Sequence, residues 1–183
     1  MFEVGELIIY SGHGICRIDS ISEKEISGVS RYYYDLHPLH AASLKISIPV
    51  DNKSILMLDL IKRDEAEKII QSFKLPGIHW IEKNTERNHT YSKIVNTGNR
   101  EEIAKIINTL MRQKLKVELN NKKFSQQDQN LLISTQQILF HEIAISLETS
   151  YEAILDEVNH IIQADFDGEN KPEPSYPGSL DSQ

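Results

Sequence analysis

The side chains best suited to chemistry lie near the start of the chain: His13 and Cys16, then His37 and His40. A histidine three residues from a cysteine suggests a base and a nucleophile, and the set as a whole suggests metal ligation. Nucleophilic catalysis also needs a group that orients the base and donors that hold an oxyanion, and a structural zinc site needs a full set of four ligands. The sequence supplies neither. Cys16 is the only cysteine, which excludes an internal disulfide and a Cys/His ligand series. These residues are therefore read as turn and partly buried sheet positions, with no catalytic residue, metal or cofactor expected. Gly12 and Gly14 bracket His13 as turn glycines, and no helical pattern follows them to cradle a phosphate. Carboxylates are plentiful but fall at helix caps and on solvated helix faces. An enzyme is not expected.

A second constellation is aromatic and basic. Trp80, the only tryptophan, follows Pro76-Gly77 at the opening of a helix that carries Lys83, Arg87 and Lys93. Two readings stand side by side. A lone tryptophan is a natural core anchor, given the apolar area of its ring. It is equally suited to wedge against an unstacked base step in a minor groove while Lys83, Arg87 and Lys93 reach phosphates. Arg112, Lys114, Lys116, Lys122 and Lys123 form a further basic cluster around a helix-helix turn. There too the alternatives are phosphate contact or a solvated helix end where cations suit the helix dipole.

Charge limits how strong any nucleic-acid contact can be. Of the 183 residues, 20 are Lys or Arg and 27 are Asp or Glu, a formal charge of -7. Residues 1–60 carry 5 basic against 8 acidic side chains, residues 61–163 carry 14 against 14, and residues 164–183 carry 1 against 5. A protein that binds DNA unaided by counterion release normally has a plainly basic domain. None is present, so DNA contact here is expected to be weak and to depend on a protein that delivers it. The opening Met-Phe-Glu-Val-Gly-Glu has no basic leader, and no apolar run is long enough to span a membrane. A cytoplasmic chain is expected, without membrane contact or a small-molecule substrate.

The elements that must position these residues change character once along the chain. Short β-rich runs occupy Leu7 to Tyr10, Ile15 to Ile21, Tyr32 to Leu36 and Leu44 to Val50, with a break at Ser27-Gly28. Such spacing predicts four or five strands in a small barrel. After Leu60 the apolar period becomes helical. Cap-like pairs at Asp64 with Glu67, Asn99 with Glu102, Ser125 with Asp128 and Thr149 with Glu152 open four helices, and a further helical segment lies between Pro76 and Gly98. The last residues, 164–183, rich in Asp, Glu, Pro, Ser and Gly, are expected to form a disordered acidic tail. The predicted class is α+β: a small β-barrel at residues 1–57, then an all-α domain of about five helices at residues 62–163.

Phe2-x-Val4-Gly5-Glu6-x-Ile8-Ile9-Tyr10-x-x-His13-Gly14, with Ile21-x-Glu23-Lys24-x-Ile26-x-Gly28 and Tyr33-Tyr34-x-Leu36, resembles the polymerase-interacting domain of the CarD/CdnL family of bacterial transcription regulators. Ile46-Ser47-Ile48-Pro49-Val50 resembles its closing strand. Gly98-x-Arg100-Glu101-x-Ile103-Ala104, with Thr109-Leu110-x-Arg112, and Ile138-Leu139-x-x-Glu142-Ile143-Ala144 resemble its helical domain. The resemblance spans residues 1–162 and implies a Tudor-like or SH3-like barrel that docks on the β subunit of RNA polymerase by edge-strand pairing. It assigns polymerase contact to Lys24 and to the strand Ile46, Ser47 and Ile48. Ser47 stands where the family carries a basic residue, and Lys45 on the same strand face is the substitute.

The same resemblance implies a helical domain that inserts a tryptophan into the minor groove at the upstream edge of the promoter bubble. Ungapped counting from Gly98 places the wedge position at Asn84, and Trp80 is read as one helical turn earlier on the same face. The DNA-contacting set is then Trp80, Lys83, Arg87, Lys93, Arg112, Lys114, Lys122 and Lys123, on a chain expected to act as a monomer. Two functions follow: a regulator of open-complex stability, or a polymerase-binding adaptor without productive DNA contact.

Overall fold

The computed structural model describes residues 1–11 and 13–169. Gly12 and residues 170–183, which include most of the segment expected to form a tail, lie outside the described residues.

Five strands come first: β1 (Leu7–Tyr10), β2 (Gly14–Ile26), β3 (Val29–Pro38), β4 (Ile46–Pro49) and β5 (Met57–Asp59). They form one antiparallel sheet in the order β4-β3-β2-β1-β5. The long β2–β3 hairpin closes through Ser27 and Gly28, both at positive φ (55° and 76°). Two such residues between the paired Ile26 and Val29 match the twist of the flanking strands. The register slips between Ile18 and Ser20, leaving Asp19 as an extra residue in β2. Alternation along the strands buries Ile8, Tyr10, Cys16, Ile18, Tyr34, Leu36 and Ile48 in one core.

Five helices follow: α1 (Arg63–Ser72), α2 (Asn84–Val95), α3 (Arg100–Leu119), α4 (Gln126–Ser146) and α5 (Tyr151–Glu169). The α+β class is as expected. Their inward stripes, among them Ile69, Ile70, Phe73, Ile106, Ile107, Leu110, Leu139, Phe140 and Ile143, make a second core. No helix among the described residues is long and apolar enough to cross a membrane.

Several boundaries differ from those expected, each for a local reason. The short β5 had no periodicity of its own and is defined by pairing with β1. The cap of α1 is Lys62, whose N–H donates to Glu65 at 3.2 Å, and Asp64 lies within the first turn. Asn99 does cap α3, accepting the Glu102 N–H at 3.1 Å. The Ser150 hydroxyl, one residue after Thr149, accepts the Ala153 N–H at 3.1 Å and opens α5. That helix continues to Glu169, so residues 164–169 are helical rather than part of a tail.

Candidate functional site

The outer face of β2, β3 and β4 carries a polar network. Lys24 Nζ donates to Asp35 and, at 2.7 Å, to Ser47 Oγ, and Ser47 in turn donates to Asp35 at 2.6 Å. Asp35 and Ser47 are direct cross-strand partners, so the register itself brings the expected contact residues Lys24 and Ser47 to one spot. The Lys24 ammonium, and after it the Ser47 hydroxyl, hold the Asp35 carboxyl down at about 2. Lys45 lies apart from this network and reaches Asp19 at 3.2 Å, where His37 Nδ1 also bonds at 2.8 Å. The His37 ring, with Lys45 second, lowers the Asp19 pKa. Ile48 is buried and Ile46 half-buried, both with side chains packed on the sheet core. What this strand can offer a partner is its backbone: among the described residues β4 pairs only with β3, at the edge of the sheet.

His13 and His40 line one cleft against α4, whereas Cys16 and His37 are held apart from it. Cys16 is fully buried, and burial pushes its thiol up to about 11. His13 stacks on Tyr10 with ring centroids 5.4 Å apart, His37 holds Asp19, and His40 is exposed. Among the described residues no group of three or more His, Cys, Asp or Glu side chains is placed to hold a metal ion.

Trp80 lies before α2 rather than within it, in the irregular segment between α1 and α2. It is half-buried, with one flank on the helical core. The Arg87 guanidinium carbon lies 3.9 Å from its ring centroid. Arg87 was expected to reach phosphates, but it is only 4% exposed. Its Nε and Nη2 grip both carboxylate oxygens of Asp128 at 3.0 and 2.6 Å, and Nη1 donates to the carbonyls of Ile81 and Glu82. Asp128, expected as a helix-cap partner of Ser125, is the buried counter-ion instead. Asn84, the ungapped wedge position, is tied down: its Nδ2 donates to Ser125 Oγ at 3.3 Å, and its Oδ1 accepts from Arg87 at 3.3 Å.

The Trp80 segment is fastened to α3 as well. Ile78 N–H donates to Thr109 Oγ1 at 2.8 Å, and the Tyr91 hydroxyl donates to the His79 carbonyl at 2.9 Å. A Cβ on Gly77 would strike the Thr109 hydroxyl and lie 2.8 Å from the Lys105 carbonyl, so only glycine lets the segment approach α3 this closely. Neither fastening carries a local sequence signature.

The second basic cluster divides. Arg112 is committed inward, to Asn108 at 2.6 Å, the Phe73 carbonyl at 3.0 Å and Asp165 at 2.7 Å. Three of its five donors are thus engaged within the protein rather than presented to DNA. Lys114 lies 4.0 Å from Glu118 along α3. Lys122 and Lys123 are exposed in the α3–α4 turn, just ahead of Ser125, the residue that meets Asn84. Lys83 is exposed at the cap of α2, so the fold gathers Lys83, Lys122 and Lys123 at the corner where α2 and α4 both begin. Helix amino ends favour anions. Lys93 is exposed at the far end of α2.

Compared with models of protein families, residues 2–60 match the CarD-like/TRCF RID domain and residues 61–159 match the CarD C-terminal domain. The boundary between the two matches falls within the short link from β5 to α1.

Proposed function

Because the chain belongs to the CarD family, non-enzymatic transcription factors that interact with RNA polymerase, we propose that it binds the polymerase β subunit through the sheet domain and modulates the stability of the promoter open complex through the helical domain. Edge strand β4 offers main-chain hydrogen bonds to a partner strand, with Ser47 on it and Lys24 beside it. Tethering then raises the concentration of the helical domain at the promoter, so modest DNA contacts suffice.

The observation that carries this reading is the stacking of Trp80 on Arg87 at 3.9 Å. Arg87 is immobilised by a two-pronged ion pair, so one face of the indole is held before DNA arrives. Lys83, Lys122 and Lys123 at the nearby corner suit the flanking phosphates. A held aromatic ring provides about 1–3 kcal/mol of base stacking.

The decisive measurement is open-complex lifetime with the cognate polymerase, comparing wild type with Trp80→Ala at matched polymerase occupancy. Wild type should change the lifetime and Trp80→Ala should return it to the value for polymerase alone. A wild-type protein that binds polymerase and leaves the lifetime unchanged favours the second reading, an adaptor without productive DNA contact. The burial of Arg87 and the engagement of three Arg112 donors within the protein support that second reading.

A further inference from the structure

We infer that Glu142 is a positioning residue that fixes the angle between the sheet and the helices, and with it the point at which Trp80 meets DNA. The inference rests on the reading proposed above. Glu142 lies on α4 and is 1% exposed. Its Oε1 accepts the Ile61 N–H at 3.0 Å and Arg100 Nη2 at 2.8 Å, and its Oε2 accepts Arg100 Nε at 3.3 Å. The same Arg100 Nη2 donates to the Asp59 carbonyl at 2.6 Å. One carboxylate and one guanidinium thus hold both the last residue of β5 and the link that follows it. The Ser146 hydroxyl closes the grip by donating to the Ile61 carbonyl at 2.9 Å.

Other contacts across this junction include close apolar approaches. A Cβ on Gly98 would lie 2.5 Å from Leu56 and 2.8 Å from Leu58, so that glycine lets α3 begin against β5. A Cβ on Gly14 of β2 would lie 3.7 Å from Ile138 of α4. Apolar burial is non-directional and permits sliding, whereas a forked ion pair has a set geometry. A buried ion pair is seldom the most stabilising choice for a site, because desolvation offsets its attraction. What this one adds to the junction is direction.

The test uses the full-length protein, with spin labels on Glu25→Cys and Glu157→Cys, exposed positions on the sheet and helical sides. Cys16 is buried, with its thiol pushed up to about 11, and stays unlabelled. In Glu142→Gln the distance distribution should broaden. Affinities for polymerase and for forked DNA, each measured separately, should match wild type, while the effect on open-complex lifetime is lost. A distribution as narrow as wild type overturns the inference. So does a fall in either separate affinity, which would make Glu142 a residue of one domain's own fold. If Glu142→Gln does not fold, Arg100→Lys enters the same measurements, since lysine lacks the fork that reaches both Glu142 and Asp59. Should wild type leave the lifetime unchanged, the proposed function fails while the distance measurement still decides the role of Glu142.

Discussion

Arg87 spends its charge inside the protein. With Asp128 it forms an ion pair whose side chains are 4% and 1% exposed, and its guanidinium serves as a platform for Trp80. Removing one partner of such a pair leaves an uncompensated buried charge and costs about 3–5 kcal/mol. Asp128→Ala should therefore lower the unfolding free energy by that amount in urea titration, and quench or shift the Trp80 fluorescence of the folded protein. Lys24 and Asp35 behave differently because both are partly open to water, with side-chain exposures of 35% and 28%. The Asp35 carboxyl sits at about 2, against about 3.9 in an unfolded chain. A depressed carboxylate contributes its full stabilisation above the unfolded value and loses it as pH falls through the folded one. The Tm gap between wild type and Asp35→Asn should therefore be widest above pH about 4 and nearly closed at pH about 2. A gap that stays constant across this range would mean that the Lys24–Asp35–Ser47 network contributes nothing electrostatic.

At the scale of elements, the segment between α1 and α2 sets where Trp80 points, and it does so through backbone contacts on α3. Gly77→Ala forces a methyl group into Thr109 and the Lys105 carbonyl. Overpacking of this kind costs about 1–3 kcal/mol. The variant should show a lower Tm and a weaker effect on the open complex, with polymerase affinity unchanged because the sheet domain is untouched. The strands and helices themselves were largely legible, since alternation and helical period are local properties of the chain. Asn99 was readable as a cap because its partner lies three residues on. Asp128 fits the same pattern after Ser125, yet its partner is Arg87 on another helix, 41 residues away in sequence. Local spacing carries no trace of that pairing, so Arg87 looked like a phosphate contact and Asp128 like a cap. Arg112 likewise has distant partners, Phe73 and Asp165, that local spacing does not reveal. Strand β5 escaped notice because three residues are too few to show a period.

For the whole molecule, the formal charge of -7 and the inward turn of the two arginines leave few cations for DNA. Lys83, Lys93, Lys122 and Lys123 are exposed and enter no ion pair among the described residues. Each phosphate neutralised adds about 0.9 to the slope of log affinity against log salt. With these four lysines as the phosphate contacts, the slope has a magnitude of about 4. Fluorescence titrations of forked DNA across a salt series should find a slope no steeper than this, and a steeper one would reveal DNA contacts beyond these four lysines. The link from β5 to α1 has a further consequence. Only residues 60–62 separate the sheet from the helices, and the Ile61 N–H and carbonyl are both bonded to α4. Under the proposed function a connector so short and so gripped acts as a ruler, setting how many base pairs separate the seat on the enzyme from the ring; the expected outcome is that response to the protein varies with promoter spacing more than with the letters under the ring.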